Sequence, residues 1–320
     1  MRKADYVSPE KFLEQMRATG FSLAQLYYAF VQWAHKKAEY PVKVALRDGA
    51  PIIHTADWLN KQSITDTTDW SPVWLNEFTT YSYFNDQVPL KDIPNIKRYF
   101  AQEGLNKPFT YVDTGYSGTL TELFDDARPH RLQTLFLAGS TDFLQPNLKK
   151  SREAFLNENK LEQLLKRTFK KDMPIELSYD NDFYENFCIV LFENTPKTTE
   201  SHEDSTLKRK RLYKNVDGKL EPILKPRSEF EITSYGEFIK GLDKGLAACS
   251  DAQQNANPKQ WQGYLKELLR ATPSIECFMH SFTSFKKRRF TSEKVPVLYA
   301  PAYDELLKHR DNIEKIYDMS

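Results

Sequence analysis

Apolar residues in the first forty positions recur at helical spacing. Pro9 stands at a favoured first position of a helix, and Gly20 is predicted to end that helix. A second helix is predicted to begin at Ser22 and to end before Pro41, because large apolar side chains recur every three or four residues in between. The pattern therefore predicts N-terminal amphipathic helices within residues 1–40.

From residue 41 onward, short apolar runs alternate with helical periodicity. This alternation predicts an α/β core at 41–195 with a mostly parallel sheet, because parallel neighbouring strands require crossover connections. The predicted strands are 42–46, 73–78, 109–112, 132–138 and 186–192. The predicted helices are 52–62, 93–102, 120–126 and 151–170.

The remainder of the chain has a different character. Residues 196–229 are polar, charged and poor in periodic apolar positions, which predicts a mobile loop. Within it, the run Lys208–Arg211 is interpreted as a solvated group of charges. Helical spacing returns in residues 230–320, where we predict a largely helical region with a surface for a protein partner.

Charge and composition narrow the range of partners. The chain has 320 residues, with 45 Lys and Arg against 44 Asp and Glu, which gives a formal net charge of +1. This balance provides no overall attraction to nucleic acid or to an anionic membrane, so neither is expected as a partner. With 40% hydrophobic residues the chain is too apolar for a disordered protein, and it is long enough to bury a substantial core.

The three cysteines, Cys188, Cys249 and Cys277, lie far apart, and no pair of His or Cys has metal-ligand spacing. The sequence thus predicts neither a disulfide framework nor a metal site made by the protein. No apolar run reaches the roughly 18 residues of a membrane span, and the N-terminus lacks a secretory signal. We therefore expect a cytoplasmic protein, although export by a route without an N-terminal signal would leave the same pattern.

The most informative segment for chemistry runs from Phe109 to Phe124. A hydrophobic strand ends in Asp113, a loop of Thr, Gly and Ser follows, and a helix is predicted next. In such loops, backbone N–H groups and the positive end of a helix bind phosphate, while glycines let the backbone approach the anion closely. Plain strand-to-helix connections use the same residue types, so a purely structural role stays an alternative.

Two catalytic motifs overlap this loop. The triplet Asp113–Gly115 is similar to that of aspartic proteases, which require a second triplet or a symmetric dimer of β-rich protomers. The run from Asp113 to Leu120 resembles the first motif of haloacid-dehalogenase-type phosphatases, in which a second Asp stands two residues after the nucleophile. Gly115 occupies that place here. A dehalogenase-type phosphatase therefore stays a further alternative.

Three loops of the α/β core together resemble the type I phosphoribosyltransferases, particularly their purine-salvage branch. The segment Val44–Gly49 corresponds to the first strand and the pyrophosphate loop of that family. Ser82 and Tyr83 follow the next predicted strand, where the family has a mobile flap. The segment Tyr111–Thr119 corresponds to the ribose-phosphate loop, and a fourth strand follows it as expected.

This resemblance implies binding of a phosphorylated ribose and transfer of its phosphoribosyl group to an acceptor, as in nucleotide metabolism. Asp113 would hold the ribose hydroxyls, Arg47 would contact pyrophosphate, and Tyr83 would close over the site and exclude water. Mg²⁺ bound to the pyrophosphate would offset the charge of the leaving group. The pyrophosphate loop would comprise Arg47, Asp48 and Gly49. The 5′-phosphate would be bound by Thr114, Gly115, Ser117, Gly118 and Thr119.

The chain departs from the family pattern at two positions. The family's ribose-phosphate loop begins with two adjacent acids, whereas Val112 and Asp113 offer one, and Asp48 would put negative charge beside pyrophosphate. The Arg-Asp-Gly turn and the later glycine loop are also similar to uncharacterised domains found beside bacterial glycan-synthesis and dehalogenase-like proteins. A second prediction is therefore a non-catalytic scaffold of the same fold that binds a protein through its helical C-terminal half.

Overall fold

The structure is a computed structural model. It describes residues 6–7, 9–46, 49–75, 93–115, 121, 132–139, 152–157, 163, 213–222, 229–252 and 295–296. In chain order the elements are β1 (Tyr6–Val7), α1 (Pro9–Lys37), β2 (Val42–Ala45), α2 (Ala50–Lys61), β3 (Trp70–Val73), α3 (Ile93–Gln102), β4 (Phe109–Asp113), β5 (Leu132–Gly139), β6 (Arg152–Asn157), β7 (Tyr213–Val216), β8 (Lys219–Pro222), α4 (Glu229–Ala252) and β9 (Val295–Pro296).

The chain divides into two compact units. The first unit comprises Met1–Val31, Asn157–Pro196 and Ser228–Ser320. The second comprises Gln32–Leu156 and Lys197–Arg227, and it contains the central sheet together with α2 and α3. Of the helices in the described ranges, none is both long and apolar enough to cross a lipid bilayer.

The second unit is built on a five-stranded sheet with the order β3-β2-β4-β5-β6. β2 pairs in parallel with β3 and with β4, and β4 pairs in parallel with β5. α2 connects β2 to β3, and α3 lies between β3 and β4 in the chain, as parallel neighbours require. The predicted α/β class is therefore confirmed.

The central strands are covered on both faces. All eight residues of β5 are buried, and Thr110, Tyr111 and Val112 of β4 are each fully inaccessible to solvent. A strand buried on both faces has a continuous apolar run instead of an alternating one, and the run at 135–138 is why the strand predicted over 132–138 was recognisable from sequence. Helix α2 buries Ile52, Thr55, Ala56 and Leu59 with the residues of its first turn, Ala50 and Pro51.

A buried polar network closes the amino end of the sheet, the end at which β4 and β5 begin. Gln133 is 2% exposed, and its Oε1 accepts hydrogen bonds from the Glu39 backbone N–H at 2.9 Å and the Thr110 hydroxyl at 2.8 Å. Its Nε2 donates to the Lys37 carbonyl at 2.8 Å. One amide side chain therefore joins the end of α1, the turn after it and strand β4.

The predicted helix end at Gly20 is wrong, because α1 runs through it without a break from Pro9 to Lys37. A Cβ at Gly20 would lie 1.9 Å from the Phe238 carbonyl oxygen, and one at Gly241 would lie 1.9 Å from the Arg17 carbonyl oxygen. These glycines let α1 and α4 of the first unit approach closely. Arg17 Nε also donates to Glu237 Oε2 at 2.7 Å. Gly20 thus marks a helix contact instead of a helix stop.

The helix predicted over 151–170 is wrong at residues 152–157, which form β6 beside β5. Leu156 is fully buried, and the Phe155 ring lies 5.6 Å from that of Trp33. Glu153 forms a salt bridge of 2.9 Å with Lys37. Pairing with β5 and packing against the end of α1 override the local helical preference of this segment.

The loop predicted over 196–229 is wrong at residues 213–222, where β7 and β8 form an antiparallel hairpin. Its turn residues Asp217 and Gly218 have φ of 50° and 86°, as a two-residue primed hairpin turn requires. The hairpin packs on α3: the rings of Tyr213 and Tyr99 stack at 4.7 Å. Gln102 both donates to the Leu220 carbonyl at 3.0 Å and accepts from its N–H at 2.8 Å.

Candidate functional site

The carboxyl ends of β2 and β4 lie side by side in the second unit. Their register pairs Val44 with Val112, and the next residues, Ala45 and Asp113, are the last of the two strands. The sheet order reverses between these strands, since β3 lies on one side of β2 and β4 lies on the other. In open α/β sheets, the crevice outside the strand ends at such a reversal is the usual place for a ligand.

A tight turn leads from β2 into α2 at this end of the sheet. The Gly49 N–H donates to the Ala45 carbonyl at 3.1 Å, and the N–H of Ile52 donates to the Gly49 carbonyl at 3.0 Å. A Cβ at Gly49 would lie 2.3 Å from the Ala45 carbonyl oxygen, so the turn needs a glycine there. Gly49 therefore holds the helix start against the end of β2.

Asp113 ends β4 with its carboxylate held from two sides. The Tyr111 hydroxyl donates a hydrogen bond to Asp113 Oδ2 at 3.0 Å, and the Thr114 backbone N–H donates to Oδ1 at 2.7 Å. The Thr114 hydroxyl lies 3.4 Å from the same Oδ1. Donors on both oxygens suit an ionised carboxylate, which accepts further hydrogen bonds through its other lone pairs.

The residues after Asp113 turn the chain sharply toward β5. Thr114 is 5% exposed, and its carbonyl accepts a hydrogen bond from the Ala138 N–H at 3.1 Å. Gly115 has a φ of 64°, and a Cβ there would lie 2.3 Å from the Phe136 ring. Both the backbone conformation and the packing therefore require glycine at position 115.

The structure brings together four of the predicted site residues, namely Gly49, Asp113, Thr114 and Gly115, at one end of the sheet. Of the helix predicted over 120–126, Thr121 is helical and fully buried. The other predicted site residues lie outside the described ranges; they are Arg47, Asp48, Tyr83, Ser117, Gly118 and Thr119.

Sequence reasoning missed a polar pair on the same sheet, Lys43 and Ser71. The two residues are register partners on β2 and β3, and Lys43 Nζ donates to Ser71 Oγ at 2.8 Å. Burial lowers the pKa of Lys43, and the nearby charge of Glu103 opposes that effect. A lysine at the second position of a short strand has no distinct sequence signal, because pairing with Ser71 depends on the strand register.

Neither a group of metal ligands in the described ranges nor a similar known protein identifies what this site binds. Within the ranges that the structure describes, no three His, Cys, Asp or Glu side chains are grouped to hold a metal ion. No protein-family model matches the sequence, and no curated protein is significantly similar to it. The residues at the carboxyl end of the sheet are therefore the features of the molecule that bear on its function.

Proposed function

We propose that the carboxyl end of the sheet binds a phosphorylated ribose donor and transfers its phosphoribosyl group to an acceptor. The observation that carries the proposal is the adjacency of the β2 and β4 ends, at Ala45 and Asp113, where the strand order reverses. The two loops that resemble the pyrophosphate and ribose-phosphate loops begin at these two ends. A single ligand carrying both phosphate groups can therefore bridge them.

The glycines support anion binding at this place. Gly49 and Gly115 each occupy a turn at this end of the sheet in which a Cβ would overlap with the protein itself, so both turns are as tight as phosphate-binding loops are. The N-terminal end of α2 lies beside the end of β2 and adds the partial positive charge of the helix dipole there. Phosphate groups are favoured where backbone N–H groups and a helix start converge.

In the proposed reaction, Asp113 accepts hydrogen bonds from the ribose hydroxyls and fixes the sugar. The bond between the ribose C1 and the pyrophosphate oxygen breaks, the electron pair leaves with pyrophosphate, and the acceptor forms the new bond to C1. Tyr83 excludes water from the positively charged ribose centre during this displacement. Mg²⁺, carried by the pyrophosphate, would neutralise charge on the leaving group. A metal held mainly by substrate phosphates needs few protein ligands.

The geometry of Gly115 argues against the dehalogenase-type phosphatase. That chemistry needs an Asp two residues after Asp113, but position 115 has a φ of 64° and the Phe136 ring stands 2.3 Å from an added Cβ. A second carboxylate cannot occupy this position without displacing Phe136. A parallel α/β sheet likewise lacks the β-rich architecture that an aspartic protease requires.

The non-catalytic scaffold makes a different prediction from the transferase. It requires the helical C-terminal half for a protein partner and tolerates loss of Asp113. Deleting residues 230–320 cannot test it cleanly, because α4 packs on α1 through Gly241 and would leave that helix without its neighbour. Comparing ligand binding by the wild type and by Asp113→Asn is therefore the more decisive measurement.

The proposal is tested by thermal unfolding of the full chain with phosphoribosyl pyrophosphate and Mg²⁺. Ribose 5-phosphate and pyrophosphate alone serve as partial ligands, and release of pyrophosphate is measured in parallel. At about 100 times its dissociation constant a ligand adds about 2.7 kcal/mol to the free energy of unfolding. We expect a shift with the donor that is lost in Asp113→Asn. The absence of a shift with all three ligands would contradict the proposal and favour the scaffold.

A further inference from the structure

We infer that Tyr111 is a positioning residue, which fixes the Asp113 carboxylate for recognition of the ribose hydroxyls. This inference rests on the proposed function and extends it to a residue of the loop segment to which the resemblance assigns no role. Tyr111 lies in the middle of β4, two residues before Asp113, so both side chains project from the same face of the sheet. The Tyr111 hydroxyl donates to Asp113 Oδ2 at 3.0 Å.

The surroundings of Tyr111 keep its hydroxyl in place. The residue is fully inaccessible to solvent, and its ring packs edge-on against Phe136 at 6.3 Å. Phe136 is the register partner of Asp113 and also stands against Gly115. Packing that fixes the Tyr111 ring therefore fixes both the carboxylate and the turn that follows it. A buried tyrosine held in this way loses little conformational freedom when a ligand binds.

Two donors hold the Asp113 carboxylate in one orientation. The Thr114 N–H donates to Oδ1, and the Tyr111 hydroxyl donates to Oδ2. With both oxygens engaged, the carboxylate plane is set. Two neighbouring hydroxyls of a ribose match a carboxylate of fixed orientation, whereas a phosphate group is repelled by its charge.

This arrangement predicts which ligands should bind with lower affinity when the Tyr111 hydroxyl is removed. Removal of the hydroxyl in Tyr111→Phe leaves the buried ring in place but removes the Tyr111 donor to Oδ2, so the orientation of the carboxylate is held less firmly. Ribose 5-phosphate should lose affinity by roughly tenfold, the usual effect of a hydrogen bond to a charged group. Binding of 2-deoxyribose 5-phosphate should fall less, because it lacks one of the two hydroxyls. Inorganic phosphate should bind equally to both forms.

The test compares the wild type, Tyr111→Phe and Tyr99→Phe by calorimetric titration with ribose 5-phosphate, 2-deoxyribose 5-phosphate and inorganic phosphate. Tyr99 is the matched control, since it is 2% exposed and its hydroxyl accepts from the Trp74 N–H at 2.9 Å, away from Asp113. The expected result is a smaller ribose-to-deoxyribose affinity ratio in Tyr111→Phe and an unchanged ratio in Tyr99→Phe. A general loss of packing would lower both affinities together and leave the ratio unchanged.

A second readout needs no ligand. In the nuclear magnetic resonance spectrum of the free protein, the Thr114 amide proton should shift in Tyr111→Phe, because its acceptor Oδ1 belongs to the carboxylate that is released. An unmoved Thr114 resonance, or an unchanged ratio in a wild-type protein that does bind ribose 5-phosphate, would overturn the role of Tyr111 alone. A wild type that binds no sugar phosphate would overturn the proposed function and this inference with it.

Discussion

The two ends of the central sheet are built from the same strands but differ in construction. At the amino end, Gln133 joins Lys37, Glu39 and Thr110 in a buried network, and its side chain is 2% exposed. At the carboxyl end, β4 finishes in the partly exposed Asp113 and a turn that only glycine can make. The two ends differ in exposure: Gln133 bonds to the protein's own backbone and is nearly inaccessible to solvent, whereas Asp113 is partly exposed at the end where we propose that a ligand binds.

The largest expected effect comes from the turn at the carboxyl end. Gly115→Ala should lower the free energy of unfolding by about 4 kcal/mol, because it adds left-handed backbone strain to overlap with the Phe136 ring. Urea unfolding measures this change. Gly104→Ala is the control: its φ is 74° but a Cβ would meet nothing within 4 Å, so it should cost about 1 kcal/mol. Equal costs at both positions would show that Phe136 does not confine the turn.

The next largest effect is expected at the amino end. Gln133→Leu should cost about 3 kcal/mol, because a buried side chain loses three hydrogen bonds, to the Glu39 N–H, the Thr110 hydroxyl and the Lys37 carbonyl. Denaturant unfolding again supplies the measurement. Gln102→Leu is the matched control, since Gln102 also makes two backbone hydrogen bonds, but from an exposed position. It should cost about 1 kcal/mol, and a larger loss there than at Gln133 would contradict the comparison.

The parts of the fold predicted from sequence are those fixed by local patterns. Helix α3 was predicted at its observed bounds, 93–102, and the predicted strands 42–46 and 132–138 overlap β2 and β5. Segment 152–157 was predicted as helix because its spacing is ambiguous, and its pairing with β5 depends on residues distant in the chain. The hairpin at 213–222 did have a local signal, the Asp-Gly pair at 217–218, within a charged segment interpreted as a loop.

The residues of the candidate site fall into the same two groups, those with a local sequence signal and those without one. Asp113 and Gly115 were predicted because a strand followed by an acid and a glycine loop is a local pattern. Tyr111 and Gln133 were not predicted, although both lie in recognised strands. Tyrosine within an apolar strand has the pattern of an ordinary core residue, and its contact with Asp113 appears only when the strand geometry is known. Two of the three partners of Gln133, Glu39 and Lys37, lie 94 and 96 positions away in the chain.

The smallest expected change in stability separates the two ends most clearly. Asp113→Asn should cost only about 1 kcal/mol, because an amide oxygen can still accept from one of the two donors, Tyr111 or Thr114. Yet it should abolish the thermal shift with phosphoribosyl pyrophosphate and Mg²⁺, whereas Gln133→Leu should start from a lower melting temperature and keep the shift. Differential scanning calorimetry of both variants, with and without the donor, measures the melting temperature of each variant and its shift with ligand. If Gln133→Leu lost the shift while still folded, the amino end would also contribute to binding, and the division between a structural end and a ligand end would fail.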